Sequence, residues 1–117
     1  MKNANLKKLP KILNKLYNAV VNESESISFT IKVNGKDRPP PKWYFDETEI
    51  NINDDDFELS ETDDEITLVI KHCKSENTGS YYLKFKNSFG EICSNKAKLI
   101  VNSKIYKLIN KLNLIRK

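Results

Sequence analysis

Between Ser26 and Val33 the chain alternates strictly, Ser26-Ile27-Ser28-Phe29-Thr30-Ile31-Lys32-Val33, which places Ile27, Phe29, Ile31 and Val33 on one side of an extended strand. Successive strand residues point to opposite faces, so this pattern calls for a sheet with one covered face and one wet one. Ile66-Thr67-Leu68-Val69-Ile70 repeats it, with Leu68 at the centre of the apolar set. Asn34-Gly35 marks a turn after the first run. Pro39, Pro40 and Pro41 then hold an extended lead into Lys42-Trp43-Tyr44-Phe45, because each proline fixes φ and lacks a ladder donor. Asp46-Glu47-Thr48-Glu49 reads as a polar hairpin turn and Phe57-Glu58-Leu59 as a short strand. Thr78-Gly79 breaks the chain before Tyr81-Tyr82-Leu83-Lys84-Phe85, Asn87-Ser88-Phe89-Gly90 forms a hairpin loop, and Ala97-Lys98-Leu99-Ile100-Val101 closes the set. Short strands separated by polar turns at this spacing predict an all-β antiparallel sandwich.

The size suits one core. A chain of 117 residues is about one domain long. Its 38% apolar and 31% charged residues, with only 3 glycines and 4 prolines, exclude collagen-like and low-complexity classes. No stretch approaches the roughly 20 apolar residues of a membrane span. The basic start, Met1 to Pro10, lacks the apolar segment of about 7–15 residues that a secretory signal needs. The expectation is a chain without a membrane role or an export signal. The net charge of +4 is unevenly spread: every acidic residue lies between Glu23 and Glu91, and no basic residue falls between Trp43 and Ile70. A nucleic-acid binder concentrates lysine and arginine on a folded face, whereas here the middle is acidic and the ends are basic, so no nucleic-acid partner is expected.

Catalytic chemistry finds little support. His72 is the one histidine and stands beside Cys73. Neighbours on a strand face opposite ways, which argues against a nucleophile and base pair and for a solvent-facing strand histidine. Asn53-Asp54-Asp55-Asp56 is acidic, but calcium loops need ligands at set intervals around a glycine, and none lies between Gly35 and Gly79. It reads as a solvated acidic loop. No glycine-rich phosphate loop is present. The expected catalytic, cofactor and metal residues are therefore none.

Several motifs together resemble the I-set immunoglobulin domains of giant muscle proteins of the titin, twitchin, obscurin and myosin-binding protein C type. They are Pro10-Lys11-Ile12, Val21-Asn22-Glu23-Ser24-Glu25-Ser26, Pro41-Lys42-Trp43-Tyr44, Leu68-Val69-Ile70, Gly79-Ser80-Tyr81, Asn87-Ser88-Phe89-Gly90 and Leu99-Ile100-Val101. The resemblance implies an antiparallel Greek-key sandwich with a core of Trp43, Ile31, Leu83, Tyr81 and Leu68, in which Tyr81 forms a tyrosine corner. It also places Ile31 and Leu83 where the family's inter-sheet cysteines would stand. Disulfides are rare in the cytosol, so a chain without that pair fits a cytosolic module. Asn77 replaces an aspartate that often makes an ion pair across the bottom of the sandwich. Ser24 replaces a common glycine, a minor change if the turn avoids positive φ. Cys73 is placed at the end of the fifth strand and Cys93 on the last, as two buried or half-buried free thiols.

The implied organisation is a basic tail over residues 1–8, an I-set domain over 9–102 and a basic amphipathic tail or linker over 103–117. Within that last segment Ile105, Leu108, Ile109 and Leu112 recur with helical spacing. The resemblance implies a non-enzymatic structural or interaction module, located in the cytoplasm at the sarcomere or cytoskeleton. Its expected partners are actin, myosin, other sarcomere proteins or adjacent immunoglobulin domains, engaged through a strand edge or a sandwich face. The acidic stretch from Asp46 to Glu65 reads first as a solubilising face and second as a dock for a basic partner. Two alternatives stand beside this reading. One is an immunoglobulin module flanking a kinase domain, as in myosin light chain kinase or twitchin, with residues Lys104 to Lys117 as a calmodulin target. The other is an extracellular adhesion domain that has lost its disulfide.

Overall fold

The computed structural model describes residues 7–51, 53–103 and 112. Among these residues ten strands form two sheets packed face to face: β1 (Lys11–Ile12), β2 (Ala19–Asn22), β3 (Ile27–Asn34), β4 (Lys42–Phe45), β5 (Thr48–Glu49), β6 (Phe57–Glu61), β7 (Glu65–Ile70), β8 (Gly79–Asn87), β9 (Gly90–Cys93) and β10 (Ala97–Asn102). One sheet has the order β1-β3-β7-β6; the other runs β2-β10-β8-β4-β5, with β9 also on β8. The pairings are antiparallel except that of β2 with β10, which is parallel from Ala19 opposite Leu99 to Asn22 opposite Asn102. β9 and β10 lie along the same side of β8 and act as one interrupted strand, joined where the Ser94 amide donates to the Leu83 carbonyl at 2.8 Å.

The alternation of β3 and β7 does what period two requires. Phe29, Ile31 and Val33 face Ile66, Leu68 and Ile70 across one inner surface, and Ile31 and Leu68 are fully buried. From the other sheet Trp43, Tyr81, Leu83, Phe85, Ala97 and Leu99 close the core. Ile31 and Leu83 thus meet the interior as hydrocarbon, each worth about 1.5–3 kcal/mol on burial. Tyr81 stacks between Phe29 at 5.5 Å and Phe45 at 4.9 Å, and its hydroxyl donates to the Asn77 carbonyl at 2.6 Å, which is the tyrosine corner. Burial raises its phenol well above the ordinary tyrosine range.

Gly79 opens β8 because nothing larger fits there. A Cβ at that position would sit 2.4 Å from Cε1 of Phe45 and 2.8 Å from the Asp46 carboxylate. That carboxylate accepts the Ser80 amide at 2.8 Å while the Asp46 amide donates to the Ser80 carbonyl at 2.9 Å, so the β4–β5 hairpin is clasped to β8. The hairpin turn is narrower than the four-residue reading: only Asp46 and Glu47 lie outside the strands, both at positive φ, 45° and 74°. Such a two-residue turn matches the right-handed twist of its strands, at a conformational cost for non-glycine residues.

Four details correct the sequence reading. Ser24 does adopt positive φ, 78°, so the turn after β2 carries the strain that glycine would avoid. His72 is exposed but lies beyond the end of β7, at φ 49°, rather than on the strand. Cys73 likewise lies past β7, buried, and Cys93 ends β9 exposed rather than half-buried; both thiols are free. The helical spacing and calmodulin-target segment of residues 104–117 fall outside the described residues, Leu112 excepted.

Candidate interaction surface

The site is built from surface rather than from a cavity. Beside the tyrosine corner, the Asn77 side chain accepts the Lys74 amide at 2.8 Å, a local cap in place of the ion pair that the family's aspartate makes. Cys73 donates its thiol to the Ile70 carbonyl at 3.7 Å, and burial pushes its pKa up, so it is held as a neutral thiol while His72 faces water. In the acidic loop, Asp54 accepts the Asp56 amide at 2.9 Å and Asp56 pairs with Lys74 at 3.0 Å. Among the described residues no three metal-ligating side chains converge. Among them also, no helix is long and apolar enough to cross a membrane.

The outer face of the larger sheet carries an aromatic and cationic ladder. Tyr44 on β4 lies opposite Tyr82 on β8, with rings stacked at 5.1 Å and 7°. Lys84 sits 4.7 Å from the centroid of the Tyr44 ring and Lys96 5.4 Å from that of Tyr82. Three lysines there each have a carboxylate: Lys96 with Glu47 at 2.6 Å, Lys84 with Glu91 at 3.6 Å and Lys42 with Glu49 at 3.8 Å. The hydrogen bond to Glu47 raises the pKa of Lys96. Further along, Val20 and Ile100 pair across the β2–β10 ladder as exposed apolar neighbours.

The smaller sheet presents a different surface. Thr30 and Thr67 share a hydroxyl bond at 3.0 Å on its outer face. Its edge strand β6 is bordered by Asp54, Asp55, Glu58, Asp63 and Asp64, all exposed and without an ion pair among the described residues.

Sequence reasoning missed Arg38. Only 7% exposed, it donates to the carbonyls of Thr62 at 2.7 Å, Asp63 at 2.9 Å and Gly35 at 3.3 Å, and pairs with Glu61 at 2.9 Å. It thereby fastens the loop before the prolines to the β6–β7 turn. The available signal was its position as the one arginine upstream of Arg116, immediately before three prolines. Asn14 and Asn95 were missed as well. Asn14 holds the Lys32 amide at 2.6 Å, and Asn95 exchanges two bonds with the Leu16 backbone, each at 2.8 Å, fixing the crossover from β1 to β2.

The sandwich, the tyrosine corner and the glycine under Phe45 agree with a comparison against known families, in which the immunoglobulin I-set domain matches residues 10–101. The chain belongs to the immunoglobulin I-set family. Nexilin of Rattus norvegicus is 33% identical over 79 residues, covering 68% of this chain and 12% of nexilin. The muscle M-line assembly protein unc-89 of Caenorhabditis elegans is 34% identical over 83 residues, covering 70% of this chain and 1% of that protein. This I-set chain therefore spans a small part of the relatives it matches. Among solved structures, the titin M3 domain superposes with a TM-score of 0.69 at 30% identity, covering 80% of this chain and 96% of that one.

Proposed function

We propose that this chain is a non-enzymatic immunoglobulin module of a titin- or twitchin-like muscle or cytoskeletal protein, working in the cytoplasm and binding filament proteins or neighbouring immunoglobulin domains. The observation that carries the proposal is the I-set match over residues 10–101 in a core where Ile31 and Leu83 are both fully buried. A core with Ile31 and Leu83 in place of a disulfide, and with Cys73 and Cys93 as free thiols, suits a reducing compartment. The likeness to unc-89 and to the titin M3 domain supports a place in the sarcomere.

Co-sedimentation of the purified chain with filamentous actin and with myosin filaments, at low and at physiological salt, tests the filament assignment. Salt-resistant pelleting with one of them identifies the filament. Absence of pelleting with both removes actin and myosin as partners and leaves neighbouring immunoglobulin domains as the ones to test.

A further inference from the structure

The outer edge of β6 is open in a way that its sequence defines. The ladder bonds beyond both of its ends, Lys71 amide to Asp56 carbonyl and Thr62 amide to Glu65 carbonyl, each at 2.8 Å, set the parity of the pairing. By that parity Glu58 and Ser60 bond to β7, while the N–H and C=O groups of Leu59 and Glu61 point away from it. Among the described residues none of those four groups has a partner, and β6 is the last strand of its sheet. An edge of this kind is a template for one more strand.

The side chains specify which strand. Glu58 stands on the outer face, Leu59 is 37% exposed on the inner side, and Asp54 and Asp55 border one end as Asp63 and Asp64 border the other. A second copy of β6 would add its own carboxylates to an edge already rich in them and supplies no cation to match Glu58, so it is the poorer occupant. An added strand is accepted when it sets a basic residue against Glu58 and an apolar one beside Leu59, with further basic residues at its ends.

We infer that the β6 edge binds an extended partner segment alternating lysine or arginine with apolar residues, which adds to the sheet as a fifth strand. This rests on reading the chain as an interaction module and names the chemistry of one partner. Main-chain bonds to Leu59 and Glu61 supply the register, and the carboxylates supply selectivity by attracting basic segments and repelling acidic ones.

The test uses the full chain labelled with nitrogen-15 and an end-capped nine-residue peptide alternating lysine and valine. A second peptide with glutamate for lysine serves as control. The expected result is saturable shifts at Leu59 and Glu61 with slowed amide exchange at both, weakened by salt, and no effect from the glutamate peptide. Charge reversal in the double variant Asp55→Lys, Glu58→Lys is expected to weaken binding about tenfold. Leu59→Pro, which deletes one outward N–H without touching the β7 ladder, is expected to weaken it as well, with circular dichroism showing retained fold. Shifts centred on Tyr44 and Tyr82, equal binding of the two peptides, or absence of binding overturns the inference. So does slow exchange at Leu59 and Glu61 in the free chain that is lost in salt, since the chain's own basic residues would then occupy the edge. Failure to pellet with filaments alongside intact peptide binding removes only the filament assignment, whereas failure of the peptide leaves that assignment standing.

Discussion

The two sheets share one core and show opposite surfaces. On the larger sheet, lysines lie over a stacked tyrosine pair, and Lys42, Lys84 and Lys96 each meet a carboxylate within 4 Å. On the smaller sheet a threonine pair replaces the tyrosines, and five carboxylates around β6 form no ion pair among the described residues. Charge that is matched within a face satisfies itself, whereas charge left in surplus at a strand edge presents a field to something else. A difference of this kind is a surface property, and the core beneath is indifferent to it.

The largest loss is expected from removing what both sheets rest on. Trp43→Ala is expected to cost about 3–5 kcal/mol and to leave the chain largely unfolded in a urea titration; a cooperative transition near the wild-type midpoint would refute its place in the core. Arg38→Met comes next. It deprives three carbonyls and Glu61 of their donor while keeping the volume of the stem, and a loss of about 2 kcal/mol is expected in the same titration. The bonds lost join the β3–β4 loop to the β6–β7 turn, so hydrogen exchange should rise most at that turn and less at Tyr82.

Tyr81→Phe should cost about 1 kcal/mol at neutral pH, through the bond to the Asn77 carbonyl. Its pH dependence sharpens the assignment. The folded phenol titrates above its unfolded value because of burial, so the unfolded chain loses its proton first. Stability is therefore undiminished below the ordinary phenol range, near about 10, and falls as pH rises beyond it. Tyr81→Phe is expected to flatten that alkaline fall, and an unchanged slope would mean that other groups produce it. The smallest effect concerns the matched face. Tyr44→Leu should cost about 0.5–1.5 kcal/mol through the lost stacking on Tyr82, while Lys96→Gln, at an exposed pair screened by salt, should leave the urea midpoint within error.

Much of this was readable from the chain. Period two in β3 and β7 located the inner face, and the proline lead located Trp43, because both depend on neighbours in sequence. Arg38 was not readable, since arginine is among the residue types least often buried and its three carbonyl acceptors lie on two different loops. Asn14 and Asn95 were hidden for a related reason: Asn95 meets Leu16 across 79 positions, and nothing local marks an asparagine that acts as a strand rung. The turn at Asp46-Glu47 and the glycine position at Ser24 were legible, but the positive φ of Ser24, Asp46, Glu47 and His72 was not, since only a few per cent of non-glycine residues adopt it, even though aspartate and histidine are enriched there. The charge asymmetry was visible as composition, but its placement on one open edge needed the register of β6 against β7.

The parallel pairing of β2 with β10 bears on mechanics. The chain enters this ladder at Ala19 and leaves it at Asn102, and the two strands run in the same direction. Tension applied to the two ends therefore pulls β2 and β10 past one another lengthwise, so that the rungs between them resist together and not one after another. A module joined in series with others would yield abruptly at this four-residue seam, at a force set by its rungs acting in concert.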